Sequence, residues 1–142
     1  MAAIKKFALG VLLAVLLGVV AIQAQAPTPS GIKRNMLVKQ DLTPMPATTA
    51  YVVEVEFAPG AESGWHTHPG PAFDTVRSGE EVVEIEGKPP QTLKSGTGIY
   101  VEPGVVHNVK NASKTEPLKT TAFFVIEQGK PVGVPASAPA KK

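Results

Sequence analysis

The chain contains no cysteine, only 6% aromatic residues and only three histidines. A chain without cysteine holds no disulfide, so its stability has to come from a packed core and from any metal it binds. Basic residues form no cluster, which argues against the electrostatic footprint of a nucleic-acid-binding protein. Helical periodicity of useful length is also lacking after the N-terminal segment.

One long apolar run stands at the N-terminus. It spans residues 7–22 and follows Lys5 and Lys6, the arrangement of a secretory signal peptide. We predict a signal peptide over 1–24 with cleavage near Ala24, and export to a periplasm or beyond. The alternative is an uncleaved membrane anchor. Cleavage would leave equal numbers of basic and acidic residues, in a chain that suits one domain.

Short stretches of alternating apolar and polar residues, separated by Gly and Pro, make up most of the remaining sequence. This pattern is typical of an antiparallel sandwich or barrel. We predict a flexible linker over 25–31, the barrel over 32–128 and a disordered Pro/Ala-rich tail over 129–142. The predicted strands cover 32–40, 51–57, the histidine strand, 72–78, 80–86, 92–94, 99–101, 105–109 and 118–127.

The three histidines are the main functional signal. His66 and His68 are two residues apart, so on an extended strand both imidazoles project from the same face. His107 follows a second turn at Pro103-Gly104. Because imidazole is the commonest metal-binding side chain, three of them predict a half-open metal site.

The spacing around these histidines resembles the two motifs of the cupin superfamily. The first motif is matched by Gly60, His66, His68 and Gly79, and the second by Gly96, Gly104, His107 and Asn111. The resemblance covers residues 50 to 127 and implies an all-β, double-stranded β-helix (jelly-roll) barrel. It also implies a divalent metal, such as Fe, Mn, Ni or Zn, and a homodimer.

The sequence departs from these motifs at two positions. Glu102 stands where the second motif has proline, with Pro103 next to it. Ala72 stands where the first motif has a metal-binding glutamate, so only the three histidines are retained. Some cupins, among them thiol and diketone dioxygenases, work without that carboxylate. Asp74 shares Ala72's face of a regular strand and is a weak candidate for a replacement ligand or catalytic base, the alternative being a solvated strand residue.

Two functions follow as expectations from this resemblance. The first is a small exported metalloenzyme acting on a small organic molecule, most concretely a three-histidine Fe(II) dioxygenase. The second is a cupin that binds or senses a metal or small ligand without turnover. The acidic residues of 80–86 are predicted to be a solvated face, namely Glu80, Glu81, Glu84 and Glu86.

Overall fold

A computed structural model describes residues 30–43, 45 and 47–140, and all its regular elements in those ranges are strands. No helix in these ranges is long and apolar enough to cross a membrane. The predicted signal peptide and most of the linker lie outside the described residues. The strands are β1 (Ile32–Asp41), β2 (Thr48–Phe57), β3 (His66–Thr67), β4 (Ala72–Ser78), β5 (Glu80–Ile85), β6 (Gln91–Lys94), β7 (Gly98–Val101), β8 (His107–Asn111), β9 (Leu118–Glu127) and β10 (Val134–Pro135).

The strands form two antiparallel five-stranded sheets, as the predicted double-stranded β-helix requires. The first sheet has the order β1-β2-β9-β4-β7, and the second has the order β10-β3-β8-β5-β6. In β2, Val53, Val55 and Phe57 face inward and are buried, while Glu54 faces outward and is exposed. The period-2 alternation of the sequence therefore sets which face of this strand packs in the core.

The core lies between the sheets and is built from the inward faces of β2, β4 and β9. Leu118 and Ile126 of β9 are 0% exposed, and Val76 of β4 is 1% exposed. Gly79 connects β4 in one sheet to β5 in the other with φ at +89°. A Cβ atom there would lie 3.1 Å from the Pro117 carbonyl oxygen, so this turn requires glycine.

The outer face of the first sheet carries an apolar row that crosses all five strands. Its members are direct cross-strand neighbours: Val38, Val52, Phe123, Phe73 and Tyr100. Phe73, Tyr100 and Phe123 are 43%, 48% and 36% exposed, and the Phe73 and Tyr100 rings lie 5.0 Å apart. This surface lies outside the barrel and takes no part in the histidine site.

The C-terminal segment corrects the sequence prediction. Residues 129–142 are predicted to be a disordered tail, but residues 129–140 include β10, which is an edge strand of the second sheet. Val134 and Pro135 pair with Thr67 and His66 of β3. Proline is tolerated here because β10 is an edge strand and one side of its backbone needs no hydrogen-bond partner in the sheet. Val132 also packs against the hydrophobic core, which holds the segment in place.

Candidate metal centre

The three histidines come together at one end of the barrel. His66 of β3 lies directly opposite His107 of β8, and opposed residues in an antiparallel pair share a face. His68 follows β3 immediately, and its ring centroid lies 4.8 Å from that of His66 and 5.1 Å from that of His107. One ring nitrogen from each of the three residues lies within 4.8 Å of the other two. The predicted convergence of the three imidazoles is confirmed.

Each imidazole is oriented by a backbone carbonyl. His66 Nδ1 is 2.8 Å from the Gly64 oxygen, and His107 Nδ1 is 2.9 Å from the Val105 oxygen. His68 Nδ1 is 2.6 Å from the Val132 oxygen. A carbonyl oxygen only accepts, so all three Nδ1 atoms must be the protonated donors. The lone pair of each Nε2 is therefore free, which is the arrangement found where histidines bind metals.

Burial keeps the three imidazoles neutral. Desolvation lowers the pKa of His66 to about 3 and that of His68 to about 4, and it also lowers the pKa of His107. A positive charge on His107 would also disfavour protonation of His66 and His68. Because a metal binds the neutral imidazole, protons do not compete for these nitrogens at pH 7. The donor set therefore fits a divalent transition ion.

An apolar wall replaces the carboxylate that the first motif would place beside the histidines. Ala72 is 5% exposed and lies opposite Phe124 of β9. The Phe124 ring lies 4.7 Å from the ring of His68. Within the part of the chain that the structure describes, no carboxylate belongs to the histidine group, and Asp74 is not among its members.

Asp74 lies instead beside a second acidic residue inside the barrel. Glu81 is 0% exposed, which corrects the prediction that it belongs to a solvated face. Neither of its carboxyl oxygens has a hydrogen-bond partner among the described residues. Thr120 faces Asp74, although its Oγ1 completes no hydrogen bond of good geometry there. This part of the barrel interior therefore contains polar atoms of Glu81 and Thr120 that lack hydrogen-bond partners among the described residues.

Burial changes the protonation of this acidic pair. Desolvation, together with the nearby Asp74 carboxyl group, raises the pKa of Glu81 to about 8. Desolvation likewise raises the pKa of Asp74 to about 6. At pH 7 Glu81 is therefore mostly protonated and uncharged, as expected for a carboxyl group without a cationic partner in a core. A signal for its burial is present in the sequence, because Glu81 shares a strand face with Val83 and Ile85.

The C-terminal segment contributes to the histidine site. Besides the Val132 carbonyl that orients His68, Gly133 lies so close that a Cβ there would be 3.8 Å from the His68 ring. The Ala136 N–H donates to the Trp65 carbonyl at 2.9 Å and anchors the segment beyond the site. We call residues 132–136 the C-terminal strap. Sequence reasoning missed it because backbone carbonyls leave no residue-type signal.

Truncation after Gln128 should lower divalent metal affinity about 10–100-fold, the usual effect of losing an outer partner of a ligating histidine. The truncation removes the Val132 carbonyl and frees the His68 ring to rotate. Truncation after Ala136 is the matched control, because it retains the whole strap. Competition with a chromophoric chelator measures both affinities. Equal affinities in the two truncated proteins would contradict an orienting role for the strap.

The fold and the site together define a small single-barrel β protein with a histidine-only candidate metal centre. The family model described as "Cupin domain" matches residues 53–132, more than half of the chain. The chain therefore belongs to the cupin family.

Comparisons with individual proteins agree with this assignment. The chain is 34% identical over 83 residues to the oryzines biosynthesis cluster protein J of Aspergillus oryzae, covering 58% of this chain and 45% of that protein. The chain thus spans less than half the length of this curated relative. A cupin-like protein from Thermotoga maritima matches with 33% identity and a TM-score of 0.55, over 66% of this chain and 67% of that one. A DMSP lyase from Ruegeria pomeroyi matches with 22% identity and a TM-score of 0.51, over 63% and 43% of the two chains, which shows a shared fold alone.

Proposed function

We propose that the protein is an exported, metal-dependent cupin in which His66, His68 and His107 bind one divalent transition ion. One observation carries the proposal: all three Nδ1 atoms face backbone carbonyls, and one ring nitrogen from each histidine lies within 4.8 Å of the other two. Three ligands on one side of an ion leave the other positions open to water or a small organic molecule. Imidazole ligands suit Fe, Ni and Zn, and Mn is also compatible with the family.

The most concrete enzymatic version is a three-histidine Fe(II) dioxygenase. When bound, such an ion would supply open positions for oxygen and for a substrate donor atom. The protein's own contribution would be to orient the ligands through their Nδ1 carbonyls and to provide a partly apolar pocket. Phe124 beside His68 and the buried methyl group of Ala72 form that apolar side.

Oxygen consumption by the iron-loaded protein tests this version. A panel of thiols, diketones and phenols should contain at least one compound that accelerates uptake above the rate without substrate. His66→Ala, which removes one half-buried ligand, is the control and should abolish the acceleration. Iron bound at one equivalent without any stimulated uptake would eliminate the dioxygenase version.

The second candidate is a cupin that holds a metal or ligand without turnover. The absence of a carboxylate from the histidine group, within the described residues, favours this candidate. Tight metal binding and ligand-dependent changes in that affinity, with no turnover on the panel, would support it. Export and dimer formation stay predictions from the N-terminal pattern and the family. Cell fractionation and sedimentation measurements test them.

A further inference from the structure

Glu81 lies inside the barrel without a hydrogen-bond partner. It is 0% exposed, and neither of its carboxyl oxygens accepts a hydrogen bond from the described residues. Its cross-strand neighbours cannot supply one, because Leu93 of β6 is apolar and the side-chain amide of Asn111 of β8 already donates to three backbone carbonyls. Burial of a carboxyl group in this state is costly unless a bound group satisfies its oxygens.

Two further oxygen-bearing side chains face the same part of the interior. Asp74 of β4 points inward, two residues before the core residue Val76. Thr120 of β9 lies opposite Val76, which places it diagonally across from Asp74 on the same face. Thr120 is 1% exposed, and its Oγ1 has no hydrogen-bond partner among the described residues. The Asp74 carboxyl group is also close enough to Glu81 for its charge to raise the pKa of Glu81.

The two carboxyl groups have no positively charged partner. Within the described ranges, no ion pair includes Asp74 or Glu81. The Asp74 Oδ1 accepts the N–H of Thr75 at 2.8 Å, which leaves its other oxygen for a further partner. When both groups are ionised, they place two negative charges in the barrel interior. A divalent cation would balance both charges.

We propose that Asp74, Glu81 and Thr120 bind a calcium ion inside the barrel, at a site separate from the histidine group. All the donor atoms are oxygens, which calcium prefers, whereas many transition ions prefer imidazole or thiolate. Two bidentate carboxylates and one hydroxyl group would supply most of the roughly six to eight oxygens that calcium takes, and water can fill the rest. Magnesium fits such a fixed interior site less well, because it demands a nearly octahedral shell and keeps several waters.

The site can be reached from one edge of the two sheets. Asp74 is half-buried and pairs with Ile99 of β7, the edge strand of the first sheet. Glu81 pairs with Leu93 of β6, the edge strand of the second sheet. Ile99 and Leu93 are themselves only partly buried. The Asp74 carboxylate therefore gives an ion a path from solvent to Glu81.

Calorimetry with calcium chloride on the purified chain tests the proposal. The titration is done at pH 8, because the pKa of Glu81 is about 8 and calcium has to displace its proton. The wild type should bind one equivalent, and Glu81→Gln and Asp74→Asn should each weaken binding at least about tenfold, because each variant keeps the side-chain shape and removes one charge. Thr120→Val should cause a smaller loss. Glu80→Gln is the matched control with unchanged affinity, since Glu80 is exposed on the same strand as Glu81.

Urea denaturation with and without calcium gives a second readout. An ion that binds only the folded protein stabilises it, so calcium should raise the urea midpoint of the wild type more than that of Glu81→Gln. Absence of calcium binding to the wild type at pH 8, or equal affinities of the wild type, Glu81→Gln and Asp74→Asn, would overturn the proposal. Tighter binding of magnesium than of calcium, with the same dependence on Glu81, would overturn the choice of calcium.

The two candidate metal sites can be tested separately. His66→Ala should keep the calcium affinity of the wild type, because calcium takes oxygen ligands and not imidazole. Loss of calcium binding in His66→Ala would place calcium at the histidine group and overturn the proposal. A wild type that binds calcium but no zinc would retain the site at Glu81, and the proposed function at the histidines would fail.

Discussion

Replacement of His107 by alanine should lower the affinity for divalent transition metals by about 100-fold or more. Loss of a mere outer partner of a ligating histidine lowers affinity about 10–100-fold, and this change removes a ligand itself. His107 is also the residue that bridges the site to β8, directly opposite His66. A chelator competition assay on the wild type and the variant measures the difference.

Two other variants control for unfolding and for the alternative ligand. His107 is 3% exposed, so its replacement by alanine leaves a cavity in the core. His66 is half-buried, so the second variant, His66→Ala, should have a smaller effect on packing. Asp74→Asn should leave metal affinity unchanged, because Asp74 faces Glu81 rather than the histidine group. A large loss in Asp74→Asn together with no loss in either histidine variant would place the metal elsewhere in the barrel.

The second large effect concerns the pH dependence of stability. As the pH rises from 5 to 8, the titration of Glu81 should lower the free energy of unfolding by on the order of 4 kcal/mol. Burial raises the pKa of Glu81 to about 8, so over this range the folded protein binds more protons than the unfolded chain, which titrates near 4.5. The stabilisation by protonated Glu81 is complete when the pH lies below its pKa in the unfolded chain. It is lost as the pH rises through its pKa in the folded protein.

Urea denaturation of wild type and Glu81→Gln at several pH values measures this effect. The two proteins should have similar stability near pH 5, and Glu81→Gln should be the more stable protein above pH 8. Titration of the histidines contributes to both proteins, so the difference between them reports the titration of Glu81 together with its coupling to Asp74. Glu80→Gln is the matched control, since Glu80 is exposed on the same strand. A constant difference between wild type and Glu81→Gln across this range would show that Glu81 is not buried as described.

Much of the fold was predictable because the strands obey local rules. Alternation in 51–57 and 80–86 marks the inward and outward faces of β2 and β5, and Gly or Pro separates the elements. The three histidines were predictable as a group because fixed spacings place them on neighbouring strands. The chain holds no other histidine, so no competing choice existed.

The features that could not be predicted depend on tertiary contacts. Glu81 was predicted to be solvated because a glutamate in an acidic run is usually exposed. The strand face that it shares with Val83 and Ile85 indicates an inward direction, but only the packing of both sheets determines how deeply it is buried. Residues 129–142, which include the C-terminal strap, were predicted to be disordered because this Pro/Ala-rich segment has little to bury. Its placement depends on an available edge at β3 and on burial of Val132.

The histidine tautomers were also beyond sequence reasoning. They are fixed by the carbonyls of Gly64, Val105 and Val132, and a backbone oxygen is available at every residue. Only the folded geometry decides which carbonyl meets which ring.

X-ray absorption spectroscopy of the zinc-loaded protein tests the metal centre most directly. We expect about three imidazole nitrogens per zinc at roughly 2.0–2.1 Å, with the remaining positions filled by oxygen donors. In His107→Ala the imidazole count should fall to two. A zinc ion bound by one imidazole or none in the wild type would contradict the three-histidine site.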